Sequence, residues 1–297
     1  MIDVRPAETD EELEAWRQVR IAVLPNEPAA TVAEMREMEE PARLLLLAEL
    51  DGEVAGSGIA DRSSTAGRGF VAPRVVPGLR RRGVGAALLH ELAAHCAGLG
   101  LGRVTGHVEG GDEASLAFAH RFGFEEADRQ VEQVIRLAEP LPPSNSLLQG
   151  IEVATIAERP ELLGAAYDLG VEGFADMATP WPVTIAEEEW LREQATLPDG
   201  SFVALAGEEI VGFAGLCAWP DRPASAVNGL TVVRRAWRRR GLASELKLRQ
   251  LAWAAANGID EVVTWTQRGN ENMRRVNERL GYVTRSESLT MVAELPL

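Results

Sequence analysis

The chain is 297 residues long, 46% hydrophobic and 25% charged, with a formal net charge of −15. That length suits two domains better than one, and the composition is that of a globular protein able to bury a core. The acidic balance speaks against a broad nucleic-acid footprint, and no apolar run approaches the ~18 residues that a membrane span needs.

In chain order, a short strand at Ile2–Arg5 leads into helical stretches. The acidic opening MIDVRPAETDEELEAW is unlike a signal or transit peptide, so a cytoplasmic location is expected. Leu44–Leu50 and Val54–Ala60 form a hairpin turned by Asp51-Gly52. A further strand, ending at Val75, enters an arginine-rich turn. A long helix leaves that turn with Val84, Leu88, Leu92 and Ala93 on its apolar face. A strand at Arg103–Val108, a short helix, the pair Gly123-Phe124 and two final strands follow. EPLPPSNSLLQG, Glu139 to Gly150, has the prolines and small polar residues of a linker. Beyond it come a strand at Ile151–Ile156, helical stretches with Pro160 near a helix start, and a hairpin of Phe202–Ala206 with Ile210–Cys217. A strand to Val233, a second arginine turn, a helix with Leu242, Leu246 and Leu251, a strand at Glu261–Thr266 and Gly281-Tyr282 complete the pattern.

The recurrence is a duplication. VVPGLRRRGVGAALLHELAAHCAGLG, from Val75, matches VVRRAWRRRGLASELKLRQLAWAAANG, from Val232, and Gly83 to Gly241 and Phe124 to Tyr282 are both offsets of 158 residues. Blocks that keep their order and spacing define an N-terminal domain 1–138, a linker 139–150 and a C-terminal domain 151–297. Each domain is expected to be α/β (α+β) with one open sheet. Cys96 and Cys217 fall in different copies and suggest neither a disulfide framework nor a metal cluster.

Each copy carries a strand, then R-x-x-G-x-G/A, then a helix: Arg80, Gly83 and Gly85, and again Arg238, Gly241 and Ala243. A helix start leaves N–H groups without partners and gathers partial positive charge. Small residues let an anion approach that backbone, and flanking guanidiniums add bidentate contacts. A compact diphosphate suits such a cradle better than a long polyanion. A Walker loop needs a lysine in the turn, and Lys247 is the only lysine of the chain, which also leaves little scope for Schiff-base chemistry. GVGAAL lacks the third glycine of a dinucleotide fingerprint and follows several strands. The bland alternative is a solvated, arginine-rich helix start; its repetition with the same downstream blocks counts against it.

With these residues the chain resembles the GNAT superfamily of acyl-CoA-dependent N-acyltransferases, as a tandem pair similar in layout to mycothiol synthase. The resemblance rests on R-x-x-G-x-G/A with Gly-Phe or Gly-Tyr about 40 residues later, and covers nearly all of the chain except the linker. It implies two GNAT-like domains, each a mixed, mostly antiparallel sheet flanked by helices. Acetyl-CoA would be the co-substrate, without a metal. A small-molecule amine would be the acceptor, with no nucleic-acid or membrane partner, in a monomer or homodimer. The amides of Arg81, Arg82, Gly83, Val84, Gly85 and Ala86, beside Arg80, would cradle the CoA pyrophosphate. So would those of Arg239, Arg240, Gly241, Leu242, Ala243 and Ser244, beside Arg238. The strands ending at Val75 and Val233 would pair with the pantetheine, and the Val233 N–H would face the thioester carbonyl as an oxyanion donor. The amine would then attack directly, once a base or water chain has taken its proton.

Asn270 matches the family's asparagine, eleven residues before the Gly281 glycine; the first copy has Asp112 there. The family's tyrosine acid is replaced by Ala119 and Asn277, and Asn277 is expected to hydrogen-bond the cofactor. The second copy is therefore the expected catalytic one. The missing tyrosines keep a second reading open, a CoA-binding sensor or scaffold without chemistry. His90, His95 and His120 read as packing or surface groups, whereas His107 and Glu109, near a strand end, are candidate bases or ordinary surface residues. Glu172, Asp176 and Asp221 fall in segments that would border an acceptor pocket. Gly173–Pro182 reads as a lid or a packed connection. Trp181, Trp190 and Trp219 suit an apolar acceptor or the core. Cys217 reads as a buried strand residue rather than a nucleophile.

Overall fold

A computed structural model describes residues 1–38, 40–63, 67–137, 149–177 and 179–297, so the predicted linker lies outside the described residues except for positions 149 and 150. The first repeat forms β1 (Ile2–Pro6), α1 (Asp10–Val23), α2 (Val32–Glu37), β2 (Leu44–Leu50), β3 (Glu53–Arg62), β4 (Arg68–Val75), α3 (Val84–Gly98), β5 (Arg103–Glu109), α4 (Glu113–Arg121) and β6 (Glu125–Arg136). The second forms β7 (Glu152–Thr155), α5 (Glu161–Ala165), α6 (Tyr167–Ala175), α7 (Glu187–Glu193), β8 (Phe202–Ala206) and β9 (Glu209–Ala218). It continues with β10 (Ser225–Val233), α8 (Leu242–Ala256), β11 (Glu261–Gln267), α9 (Glu271–Arg279) and β12 (Val283–Glu294).

Local chemistry explains the boundaries. Thr9 with Glu12, and Thr31 with Glu34, form capping boxes that satisfy the first N–H groups of α1 and α2. Asp51 (φ 54°) and Gly52 (φ 85°) give the β2–β3 hairpin the left-handed pair that a tight turn between twisted strands requires.

Two compact units result: Met1–Asp128 with Ser288–Leu297, and Arg129–Glu287. Within the first, the sheet order is β1-β2-β3-β4-β5-β12, parallel only at β4–β5; Ser288–Glu294 of β12 pairs with Glu109–Arg103. The second runs β7-β8-β9-β10-β11-β6, parallel only at β10–β11, and Gln130–Arg136 of β6 pairs with Gln267–Glu261. Each unit therefore closes on a strand encoded by the other repeat. Where the sequence predicted two final strands per copy there is one strand of 12 residues. Neither segment contains a Gly, Pro or Asn at which to turn.

Both sheets are covered on both faces. In the first unit Leu88, Leu89, Leu92 and Cys96 of α3 pack with Leu289, Met291 and Ala293 of β12, and α1 covers the opposite face through Leu13 and Trp16. In the second, Leu242 and Leu246 of α8 pack on Val211, Ala214 and Val233. Leu169 and Trp190 cover the other side, against Val203, Phe213 and Val232.

Candidate active site

The two arginine turns repeat the same backbone. Arg80 and Arg238 are extended, Arg81 (φ 66°) and Arg239 (φ 63°) are left-handed, and Gly83 (φ 91°) and Gly241 (φ 86°) are left-handed again before α3 and α8 begin. Non-glycine residues rarely hold a positive φ, and among the described residues only Asp51 joins these two arginines. Departures of this kind curl successive N–H groups onto one concave side, which makes an anion nest. Neither helix has a side-chain cap. The amides of Val84, Gly85 and Ala86, and of Leu242, Ala243 and Ser244, thus start each helix without a side chain in competition. Gly85 is not required sterically: a Cβ there would sit 3.5 Å from Val75 and Phe118, an ordinary packing distance, as the alanine at position 243 of the second turn shows. These residues fit a diphosphate through backbone and dipole, with the exposed Arg82, Arg239 and Arg240 at the rim.

The arginine that opens each motif turns back onto its own strand. Arg238 Nε donates to the Val233 carbonyl at 2.8 Å and Arg80 Nε to that of Val75 at 3.3 Å. Arg234 N donates to Val211 O (2.9 Å) and Val76 N to Ala55 O (3.0 Å). N–H directions alternate along a strand, so the N–H groups of Val233 and Val75 point away from β9 and β3, towards the parallel neighbour. That neighbour has already diverged. Parallel pairing ends at Val227↔Val263 in one unit and Phe70↔Thr105 in the other, which opens a cleft beside each N–H.

Here the units differ. The β10–β9 register shifts between Asn228 and Thr231, whereas β4–β3 is regular from Arg62↔Gly69 to Gly56↔Val75. The strand starts, Arg68 and Ser225, are 157 residues apart and the ends, Val75 and Val233, 158, so β10 carries one extra residue as a bulge. A bulge bends its strand and re-aims the residues beyond it.

Acidic side chains lock the second turn. Asp176, just after α6, accepts from Arg235 and from Arg238. The Arg235 hydrogen bonds, then those of Arg238, bring its carboxyl down to about 2. Glu172 accepts the Arg235 N–H at 2.9 Å and faces Arg234 Nη1 at 3.5 Å. Both acids are engaged by the turn and do not stand free beside an acceptor. In the first unit Asp112 caps α4 through Ser115 and lies 3.6 Å from Arg80, whereas Asn270 starts α9 with no side-chain cap bond.

Asn277 is interior. It is fully buried and donates to Gln133 Oε1 (2.9 Å) and Thr266 Oγ1 (3.4 Å). A second buried group, missed in the sequence, lies under the bulge. Asn228 Nδ2 donates to Gln250 Oε1 (2.6 Å), Tyr282 OH to Asn228 Oδ1 (3.5 Å), and Lys247 Nζ lies 5.3 Å from the Tyr282 ring centroid. Burial lowers the Lys247 amine to about 7 and raises the Tyr282 phenol. The matching residues of the first unit are all apolar: Val71, Leu89, Leu92 and Phe124, and Ala119, Val108 and Met291 for the Asn277 group. The signal was available by comparing the copies at an offset of 158, or 157 for Asn228, which precedes the bulge.

The remaining candidates sort by contact. His90 packs edge-on to Phe122, His95 meets Ala42 O at 2.9 Å, and His120 meets Phe124 O at 3.0 Å. His107 lies against Phe70, ring centroids 5.6 Å apart; crowding by the surrounding atoms lowers its pKa, opposed by Glu27 and Asp128, while part of the residue stays exposed to solvent. Trp190 and Trp219 belong to the core, and burial pushes the Cys217 thiol up. Among the described residues no His, Cys, Asp and Glu group is placed to hold a metal, and no helix is long and apolar enough to cross a membrane.

No curated protein matches the chain. Among solved structures, a GCN5-related N-acetyltransferase from Sphaerobacter thermophilus is similar at 19% identity and TM-score 0.79, over 100% of this chain and 96% of that one. A tandem GNAT protein from the clavulanic acid biosynthesis pathway matches at 21% identity and TM-score 0.76, over 100% and 99%. A glucosamine N-acetyltransferase region of a fungal multi-domain β-N-acetylglucosaminidase matches at 14% and 0.73, over 98% of this chain and 38% of that one. These likenesses are of fold. The acetyltransferase (GNAT) family model matches residues 8–124 and 171–282, more than half of the sequence, and the chain, with its paired anion nests and diverging parallel strands, belongs to that family.

Proposed function

We propose that this protein transfers an acetyl group from acetyl-CoA to the amine of a small molecule, by direct attack, in the second unit. The observation that carries the reading is the pairing of nest and bulge in that unit, which sets the outward N–H of Val233 beside the cleft between β10 and β11. Acetyl-CoA supplies an activated thioester. The amides of Arg239, Arg240, Gly241, Leu242, Ala243 and Ser244 hold the pyrophosphate, and Asn270, free of capping duty, reaches the cofactor from α9. The N–H of Val233 donates to the oxygen on which charge develops, a preorganised donor of a kind that contributes about 2.7–4 kcal/mol where it has been removed. Arg238, by holding the Val233 carbonyl, fixes the peptide plane that follows that donor. The acceptor loses its proton to water, and the leaving thiolate takes one from solvent. Asn277 acts through Gln133 and Thr266 rather than on the substrate. In the first unit Val75 and residues 80–86 form a second CoA cradle.

One observation favours a CoA-binding protein without chemistry: the residue at the family's acid position is fully buried, with its amide given to Gln133. Thiol release from acetyl-CoA over a panel of small amines separates the two readings. Turnover that Gly241→Glu abolishes and Gly83→Glu spares supports catalysis in the second unit. Tight acetyl-CoA binding without turnover on any amine supports the sensor. If neither variant changes acetyl-CoA binding, the cradle assignment fails.

A further inference from the structure

Arg74 in β4 and Ser57 in β3 are direct cross-strand partners, so their side chains stand together on the face covered by α1. Ser57 is fully buried and Arg74 keeps 8% of its surface accessible. Nε and Nη1 of Arg74 and Oγ of Ser57 are buried and make no hydrogen bond within the protein. The guanidinium lies 5.3 Å from the centroid of the Trp16 ring, whose N–H already donates to Gly58 O at 2.8 Å. Arg20 adds positive charge nearby and Glu27, which faces Arg20 at 3.3 Å, offsets it. Burial, then Arg20, pulls Arg74 down to about 9, so it stays cationic at neutral pH.

A buried cation with unmade hydrogen bonds destabilises a fold by more than one ring contact returns. The fold does not need it. At the same cross-strand position the second unit has Val232 opposite Phe213, both buried and apolar. We propose that the first unit carries a carboxylate-binding site of its own, with Arg74 as the anchor and Ser57 as the second donor. A planar guanidinium beside a hydroxyl matches the two oxygens of a carboxylate in one plane. Phe70 and His107 lie on the same face, where β4 and β5 diverge. The carboxylate belongs either to a free small acid or to the far end of an acyl chain delivered on CoA. Arg74 precedes Val75, so both sources reach the same guanidinium. The second source rests on the CoA cradle proposed for residues 80–86; the first does not.

Calorimetric titration of the full chain with succinate, sulfate, acetyl-CoA and succinyl-CoA tests this, with Arg74→Leu and Ser57→Ala as variants. The expected result is binding of succinate, or tighter binding of succinyl-CoA than of acetyl-CoA. That binding should weaken at least tenfold in Arg74→Leu and by a smaller factor in Ser57→Ala. Succinate binding alone identifies the free acid, and a gain confined to succinyl-CoA identifies the acyl end. Without ligand, Arg74→Leu should melt no lower than the parent, as expected of a residue kept for binding; if it does not fold, Ser57→Ala carries the test. Sulfate binding tighter than succinate, no carboxylate preference, or equal affinities in parent and variants overturns the proposal. The succinate arm needs no acetyl transfer, so the two proposals fail separately.

Discussion

Lys247→Leu places in the second unit the residue that the first has at the matching position, Leu89. Burial takes the Lys247 amine from the ordinary 10.5 to about 7, a shift of about 3.5, or about 5 kcal/mol as an upper bound on what its neutralisation costs the folded state at pH 7. At ~2 °C per kcal/mol for a unit of this size, the variant should melt up to about 10 °C higher. The pH dependence gives the sharper test. Between pH 7 and 10.5 the unfolded chain holds a proton that the folded chain lacks, so parental stability rises with pH, by up to about 1.4 kcal/mol per unit. Below pH 7 both states are protonated and this slope vanishes. Above pH 10 the raised Tyr282 phenol opposes it, because unfolded tyrosine ionises first. Thermal and urea unfolding from pH 6 to 9.5 should show the slope in the parent and its loss in Lys247→Leu. A variant that melts lower, or that keeps the parental slope, would refute the reasoning.

Asp176→Asn should cost about 1 kcal/mol at pH 7, allowing for partial exposure, and only a small fraction of that near pH 2. A carboxyl held at about 2 instead of 3.8 stabilises above pH 4, and loses that contribution as pH falls. Urea midpoints at both pH values check it. Gly215→Ala should cost at least about 3 kcal/mol, because the new Cβ would lie 1.9 Å from the Gln194 carbonyl oxygen and backbone cannot rotate aside; an unchanged denaturation midpoint would refute it. Deletion of Gly229 removes the extra residue of β10 and should lower kcat ~100-fold while acetyl-CoA binding persists, measured by steady-state kinetics and calorimetry.

The duplication, the hairpins and both turns were legible because each rests on local chemistry: an Asp-Gly turn, glycines with positive φ, an apolar helical face. The features that escaped the sequence depend on distant partners. Glu172 and Asp176 read as acceptor-side acids until α6 sets them against Arg234, Arg235 and Arg238. Asn277 fits the family's acid position by spacing, yet Gln133, more than a hundred residues earlier in the chain, receives its amide. Lys247 looks like one more basic residue on the helix after an arginine-rich turn until Tyr282 and the sheet enclose it. The bulge is a single extra residue inside a strand, marked only by Gly229, which a close backbone approach would explain as well.

The crossed closing strands also set an order of events during synthesis. Arg103 in β5 meets Glu294 in β12, 191 positions later, so the first unit has all its own core helices on hand long before its sixth strand exists. Until residues 288–294 emerge from the ribosome, β5 is an open edge, the kind of surface that recruits strands from other chains. A cut within 139–150 would give two fragments, each bearing the strand the other requires. Neither would mature alone, and each would be the other's complement.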